Sequence, residues 1–153
     1  MKKGFSLPLW VAGAARAALK KLVGLPFKNY ELIKIPNEKK EIKIEIHSVG
    51  LLKDHSQALG ISFAKSGLDL DITQNLEIWA IASLEKISFN NSFQTLPIKI
   101  IAGSGVGIKE DTSEICISNF AKEVLYENLL NLFEHDYLKQ FFPKKLLSIF
   151  LSY

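Results

Sequence analysis

The chain reads as an α+β fold: a mixed or antiparallel sheet packed by an N-terminal alanine-rich helix and by a second, amphipathic helix. Three patterns predict it. Small and apolar residues recur at helical spacing in LPLWVAGAARAALKKL, period-two alternation takes over near residue 30, and helical spacing returns in NFAKEVLYENLLNLFEHD. No regular strand-helix alternation, internal repeat or heptad run competes with that reading.

The first helix follows Ser6, whose hydroxyl can cap it. Pro8 is tolerated in the first turn, where amide hydrogens lack intrahelical partners, Lys20 and Lys21 suit the negative pole of the dipole, and Gly24 closes the helix. Ala12, Gly13, Ala14, Ala15, Ala17 and Ala18 let its backbone approach a sheet or a ligand closely. The two lysines and apolar stretch at the start mimic a secretory leader. Arg16 interrupts that stretch, however, and the helical pattern runs on to Leu22, so a packed helix is expected. No apolar segment approaches the roughly 20 residues that span a bilayer. A single cysteine, Cys116, excludes an internal disulfide or a Cys-rich zinc site and fits a reducing compartment, so the expected location is cytoplasmic.

The strands come next. YELIKIP is followed by EIKIEIHSV, which puts Ile42, Ile44 and Ile46 on one face and Glu41, Lys43, Glu45 and His47 on the other, as in one half-buried strand. ALGISFAK, LEIWAIASLEKI, PIKIIAG and SEICIS are further candidates. The longest has room to bend or bulge, and NNS at 90–92 reads as a loop. In the second helix Ala121, Val124, Leu125, Leu129, Leu132 and Phe133 form one stripe that is expected to pack on the sheet, with Ser118 or Asn119 as cap. FFPKKLLSIFLSY then starts a new apolar run after Pro143. The domain reading is therefore an N-terminal α+β domain over 1–138, with 139–153 either a terminal strand or the start of a second domain.

With 153 residues, 48% of them hydrophobic and 23% charged, the chain can enclose one core. A net charge of +3 is too small and scattered to indicate nucleic acid, yet suits an anionic small molecule. Chemistry is concentrated in two segments. AGSGVGIK presents Gly103, Gly105 and Gly107 around Ser104 and Val106, with Lys109 two residues on, but has neither phosphate-loop spacing. It reads as a glycine-rich turn or as backbone amides exposed to a ligand. In GLDLDIT, Asp69 and Asp71 point to one side if extended, as two carboxylates sharing a pocket or as ordinary turn residues. Two carboxylates are too few for a cation, and no metal is expected. His47, His55 and His135 share no ligand spacing and read as solvated or structural, while Cys116, Trp10 and Trp79 read as core.

In order along the chain, GFSLP before the alanine-rich helix, GLDLDIT, and AGSGVGIKEDT resemble three segments of the cobalt-precorrin-5B C1-methyltransferase family of the anaerobic cobalamin pathway. The family forms are GYTTG or GYTLP, GDDPDVT, and GGxGVGxxT. Gly67, Asp69, Asp71 and Thr73 match the second, and Gly103, Gly105, Val106 and Gly107 the third, while Leu68, Leu70 and Ala102 depart from them. The resemblance implies methyl transfer from S-adenosylmethionine to ring carbon C1 of an anionic cobalt-tetrapyrrole, with cobalt only as part of the substrate. It assigns Asp69 and Asp71 to proton balance or to a pyrrole N–H, and Ser6, Gly67, Thr73, Gly103, Ser104, Gly105, Val106, Gly107 and Lys109 to the substrate or donor pocket. Expected partners are that substrate and either a homo-oligomer or a second domain, with no nucleic acid or membrane. Two other readings stay open: a noncatalytic tetrapyrrole-binding or assembly domain, and a nucleotide-dependent enzyme using the Gly103–Gly107 loop.

Overall fold

The alanine-rich segment forms helix α1, Leu7–Leu22, and its residues from Leu9 to Leu19 are buried apart from Arg16. Its C-terminus is closed as the sequence predicts. Gly24, at φ +84°, donates its amide to Lys21 O (3.2 Å), and the Leu25 amide reaches Lys20 O (2.9 Å), the paired bonds of a glycine-terminated helix. The structure, a computed structural model, describes residues 7–26, 28–64, 76–86, 98–103, 118–133 and 145–152.

Strands β1 (Tyr30–Lys34) and β2 (Glu41–Glu45) form an antiparallel ribbon. A second sheet has the order β3-β4-β5-β7-β6, with β3 Ser48–Leu52, β4 Gln57–Ala64, β5 Leu76–Lys86, β6 Ile98–Ala102 and β7 Lys145–Ser152. Its pairings are antiparallel except β6 with β7, so the sheet is mixed. β5 keeps continuous register with both neighbours, with no bulge in the pairing. The run after Pro143 supplies β7, which lies between β5 and β6. The candidate strand SEICIS and the loop at 90–92 lie outside the described residues.

The stretch expected to be one strand over residues 41–49 is two. The Ile46 amide bonds Asn29 O on the ribbon side (2.9 Å), whereas the next amide, that of His47, bonds Ile61 O of β4 (2.9 Å). The chain changes sheets between adjacent residues while Ile42, Ile44 and Ile46 all stay buried. Local alternation is the same on both sides of such a switch, so periodicity alone does not reveal it. The β3–β4 turn holds Lys53, Asp54 and His55 at positive φ (46°, 53° and 72°), stabilised by the Ser56 amide and hydroxyl on Lys53 O (3.0 and 2.8 Å).

α1 packs its backbone directly on β4. A Cβ added at Gly60 would collide with the Ala14 carbonyl oxygen and come within 3.1 Å of the Ala18 amide nitrogen. On α1 itself, a Cβ at Gly13 would stand 2.5 Å from Ile44 Cγ2 of β2, so the ribbon also approaches closely. Ala58, Ser62 and Ala64 of β4 and Ala80 and Ala82 of β5 continue the small surface beneath the helix. Ser62 Oγ donates to Trp10 O (3.1 Å).

Helix α2, Asn119–Phe133, is capped by Ser118, whose Oγ accepts the Ala121 amide (3.1 Å). Val124, Leu125, Leu129 and Leu132 are buried as the stripe predicts, against α1 and β1 of the ribbon. Polar groups on that face complete the packing. Asn128 acts as a surrogate strand partner for Lys34, accepting its amide at Oδ1 (2.8 Å) and donating from Nδ2 to its carbonyl (3.0 Å) and to Val124 O (2.8 Å). Arg16 donates from Nε to Glu31 (3.0 Å) and from Nη1 to Asn128 O (2.6 Å) and to Asn131 Oδ1. Lys20 Nζ lies 3.2 Å from the second Glu31 oxygen. Burial pushes the Arg16 pKa down, and the charge and hydrogen bond of Glu31 push it back up.

Two stability outcomes follow. Gly60→Val should destabilise the chain by about 3 kcal/mol, since a backbone carbonyl cannot rotate out of the way, as read from the urea midpoint at unchanged m. Glu31→Gln should cost about 3 kcal/mol by leaving two cations without their buried carboxylate, and Arg16→Met with Glu31→Leu should cost less, as a double-mutant cycle would measure.

Candidate functional site

Strand directions bring the described residues that flank the three candidate segments to one end of the five-stranded sheet. β4, β6 and β7 run the same way and β5 the opposite way, so the last residue of β4, Ala64, pairs with the first of β5, Leu76. The segment holding Gly67, Asp69, Asp71 and Thr73 connects those two residues. β6 ends at Ala102, beside Leu151 near the end of β7, and the glycine loop departs from there. α1 runs antiparallel to β4, with Trp10 over Ser62 and Ala14 over Gly60, so Leu7, the residue after Ser6, lies towards the same end. β4 and β6 are separated by two strands, about 14 Å at strand spacing.

Of the expected site residues, Gly103 is described, and Ser6, Gly67, Asp69, Asp71, Thr73, Ser104, Gly105, Val106, Gly107 and Lys109 lie outside the described residues. The Gly103 amide donates to Leu151 O (2.6 Å). A Cβ there would stand 2.5 Å from that same oxygen and 2.5 Å from Phe150 Cζ. Glycine is thus required at 103 by packing of β6 on β7, and its amide is committed to the sheet.

The sheet face opposite α1 has its own surface at this end. Trp79 of β5 stands opposite Ile61 of β4 and Ser152 of β7, with Phe63 and Phe150 at the diagonals. It is 41% exposed, contrary to its expected place in the core. The alternation carried the signal: Ile78, Ala80 and Ala82 are buried under α1, and Trp79 shares its parity with Glu77 and Ser83. The indole N–H donates to the exposed Glu77 carboxylate. Trp10, by contrast, is buried as expected.

Two concavities flank this aromatic group. One, about 460 Å³, is lined by Asn29, Lys43, Glu45, Ile46, His47 and Phe63 at the junction of the two sheets. There the His47 ring meets Phe63 edge-on, with centroids 4.8 Å apart and planes at 88°, and Lys43 Nζ lies 4.4 Å from the Tyr30 ring centre. His47 also bonds Ser48 Oγ through Nδ1 (3.1 Å), a structural use in keeping with expectation. The other, about 550 Å³, crosses the sheet with Ile81, Ile101 and Phe150 among its walls. No described helix is long and apolar enough to cross a membrane.

A model of the CbiD family matches residues 1–143. The chain is 82% identical over 155 residues to the cobalt-precorrin-5B C(1)-methyltransferase of Prochlorococcus marinus strain MIT 9312, covering 99% of this chain and 41% of that relative. It is 88% identical over 132 residues to the protein of the same name from strain MIT 9215, covering 86% of this chain and 36% of that one. The chain thus spans well under half the length of these relatives. The 1.9 Å crystal structure of the cobalamin biosynthesis protein cbiD from Archaeoglobus fulgidus superposes with a TM-score of 0.60 at 18% identity, over 99% of this chain and 44% of that one. That likeness bears on the fold.

Gly103→Ala should part the ends of β6 and β7 and lower stability by about 1–3 kcal/mol, measurable as a fall in unfolding free energy.

Proposed function

The chain belongs to the CbiD family, and from that membership we propose that it serves, in the cytoplasm, the S-adenosylmethionine-dependent C-methylation of cobalt-precorrin-5B at C1. The observation that carries the reading is the convergence at one sheet end of the described residues from which all three family-like segments depart. Relatives of high identity named for this reaction support it.

S-adenosylmethionine supplies, when bound, an electrophilic methyl group on a sulfonium. The described residues at this end fit such a cation: the Glu77 carboxylate lies beside the exposed Trp79 indole, and both a negative charge and a π-face attract positive charge. In this reading the chain's contribution is mainly positioning, because an in-line displacement needs alignment more than covalent help from the protein. The amides of residues 104–107 and Lys109 meet the substrate's acetate and propionate groups. Asp69 or Asp71 accepts a hydrogen bond from a pyrrole N–H or takes up a proton.

Incubation with cobalt-precorrin-5B and methyl-labelled S-adenosylmethionine is expected to put label on the macrocycle. Asp69→Asn combined with Asp71→Asn should slow transfer by about 10²-fold. A folded sample that transfers no label and binds neither S-adenosylhomocysteine nor a cobalt corrinoid would reject the reading. Corrinoid binding without transfer would mark a binding module instead.

A further inference from the structure

Trp79 is the exposed aromatic residue on the sheet face opposite α1, and it lies close to the end where the candidate segments depart. Its surroundings are mixed in a particular way. Ile61, Ile81 and the diagonal Phe63 and Phe150 give it an apolar floor, while Glu77, two residues earlier on the same face, accepts its indole N–H and so fixes the ring about its long axis. An indole held in place, with part of its surface open, is a stacking platform prepared before the ligand arrives. The carboxylate beside it selects by charge. It repels a ligand rimmed with carboxylates or phosphates, and it favours one that brings hydroxyl donors and a positive centre.

Resting on the reading above, we propose that Glu77 and Trp79 seat the methyl donor: the adenine ring stacks on the indole, and the Glu77 carboxylate receives the ribose hydroxyls and draws the sulfonium. The second Glu77 oxygen provides the acceptor, since the indole bonds Oε1. The location suits the task. Glu77 is next to Leu76, the first residue of β5, and Trp79 pairs with Ser152 one residue from the Leu151 carbonyl that anchors Gly103, so the donor would lie between the start of β5 and the end of β6. The macrocycle, being polyanionic, is then left to the departing segments and Lys109.

Calorimetry on this chain with S-adenosylhomocysteine, S-adenosylmethionine and cobyrinic acid, a corrinoid with free acetate and propionate groups, each titrated separately, tests this. Trp79→Ala should weaken S-adenosylhomocysteine about tenfold or more, the scale of one lost base–aromatic stack, with cobyrinic acid affinity unchanged. Trp79→Phe, which keeps a ring, should stay within a few-fold of the parent. Glu77→Gln should weaken the charged S-adenosylmethionine more than the neutral thioether S-adenosylhomocysteine, a split that a purely structural role would not produce. Thermal melts accompany each variant, and if Trp79→Ala fails to fold, the Phe and Gln variants carry the test. Unchanged donor affinity in the Trp79 and Glu77 variants, with label transfer intact, overturns this inference and leaves the methyltransferase reading standing. Loss of cobyrinic acid rather than donor binding overturns it in favour of a macrocycle platform. Conversion of a dimer to a monomer by Trp79→Ala, with donor binding retained, overturns it in favour of a contact between copies. A parent chain that binds none of the three ligands removes both the inference and the reading beneath it.

Discussion

The contact between the backbone of α1 and β4 at Gly60 is the constraint on which the remaining structure depends. A helix normally rides about a side chain's thickness above a sheet, but here the carbonyl of Ala14 occupies space that any Cβ at residue 60 would take. The alanines of both surfaces make that depth accessible, because small side chains add little thickness and pay almost no rotamer entropy when buried. With α1 so low, the ribbon can close over its other flank, where Gly13 admits Ile44. The helix is therefore enclosed by both sheets instead of lying on one.

That enclosure raises a problem for the charges on α1, and the solution orients the second helix. Arg16 and Lys20 face Glu31, which is 3% exposed, so a carboxylate has been withdrawn from water and must be compensated by charge and hydrogen bonds. The Arg16 fork extends past it to the Asn128 carbonyl and Asn131 side chain of α2. Asn128 then turns its amide onto the backbone of Lys34, finishing the edge of β1 as another strand would. One connected set of polar bonds thus ties α1, α2 and the ribbon at a fixed geometry, while apolar packing alone would tolerate some sliding.

In the proposed reading, labour is divided between the packed frame and the segments that follow it. The packed strands and α1 fix the described residues at which the segments begin and end, and the proposal assigns the chemistry to the segments, since binding groups are commonly held on connections by a rigid scaffold. Gly103 lies at that boundary: its amide and its missing side chain both serve the junction of β6 with β7. The tolerance of this position is therefore set by strand packing before any ligand is considered. Trp79 shows the opposite case. Nothing in the strand pairing requires an indole there, and its exposure costs apolar hydration that a covering group would relieve.

Much of this was present in the sequence by itself. Local signals act within a few residues, so the extent of α1, its glycine terminus, the Ser118 cap, the buried stripe of α2 and the inward set Ile42, Ile44 and Ile46 could all be read directly. So could the outward parity of Trp79, although its size and hydrophobicity argued for the core. The family-like motifs were also visible as strings, since a motif is defined by spacing along the chain. What only the tertiary structure decided is which strand each strand meets: the switch of sheets between Ile46 and His47, the insertion of β7 between β5 and β6, and the burial of Glu31 against Arg16. Those choices depend on partners distant in sequence, and alternation records only that a face is buried, not what buries it.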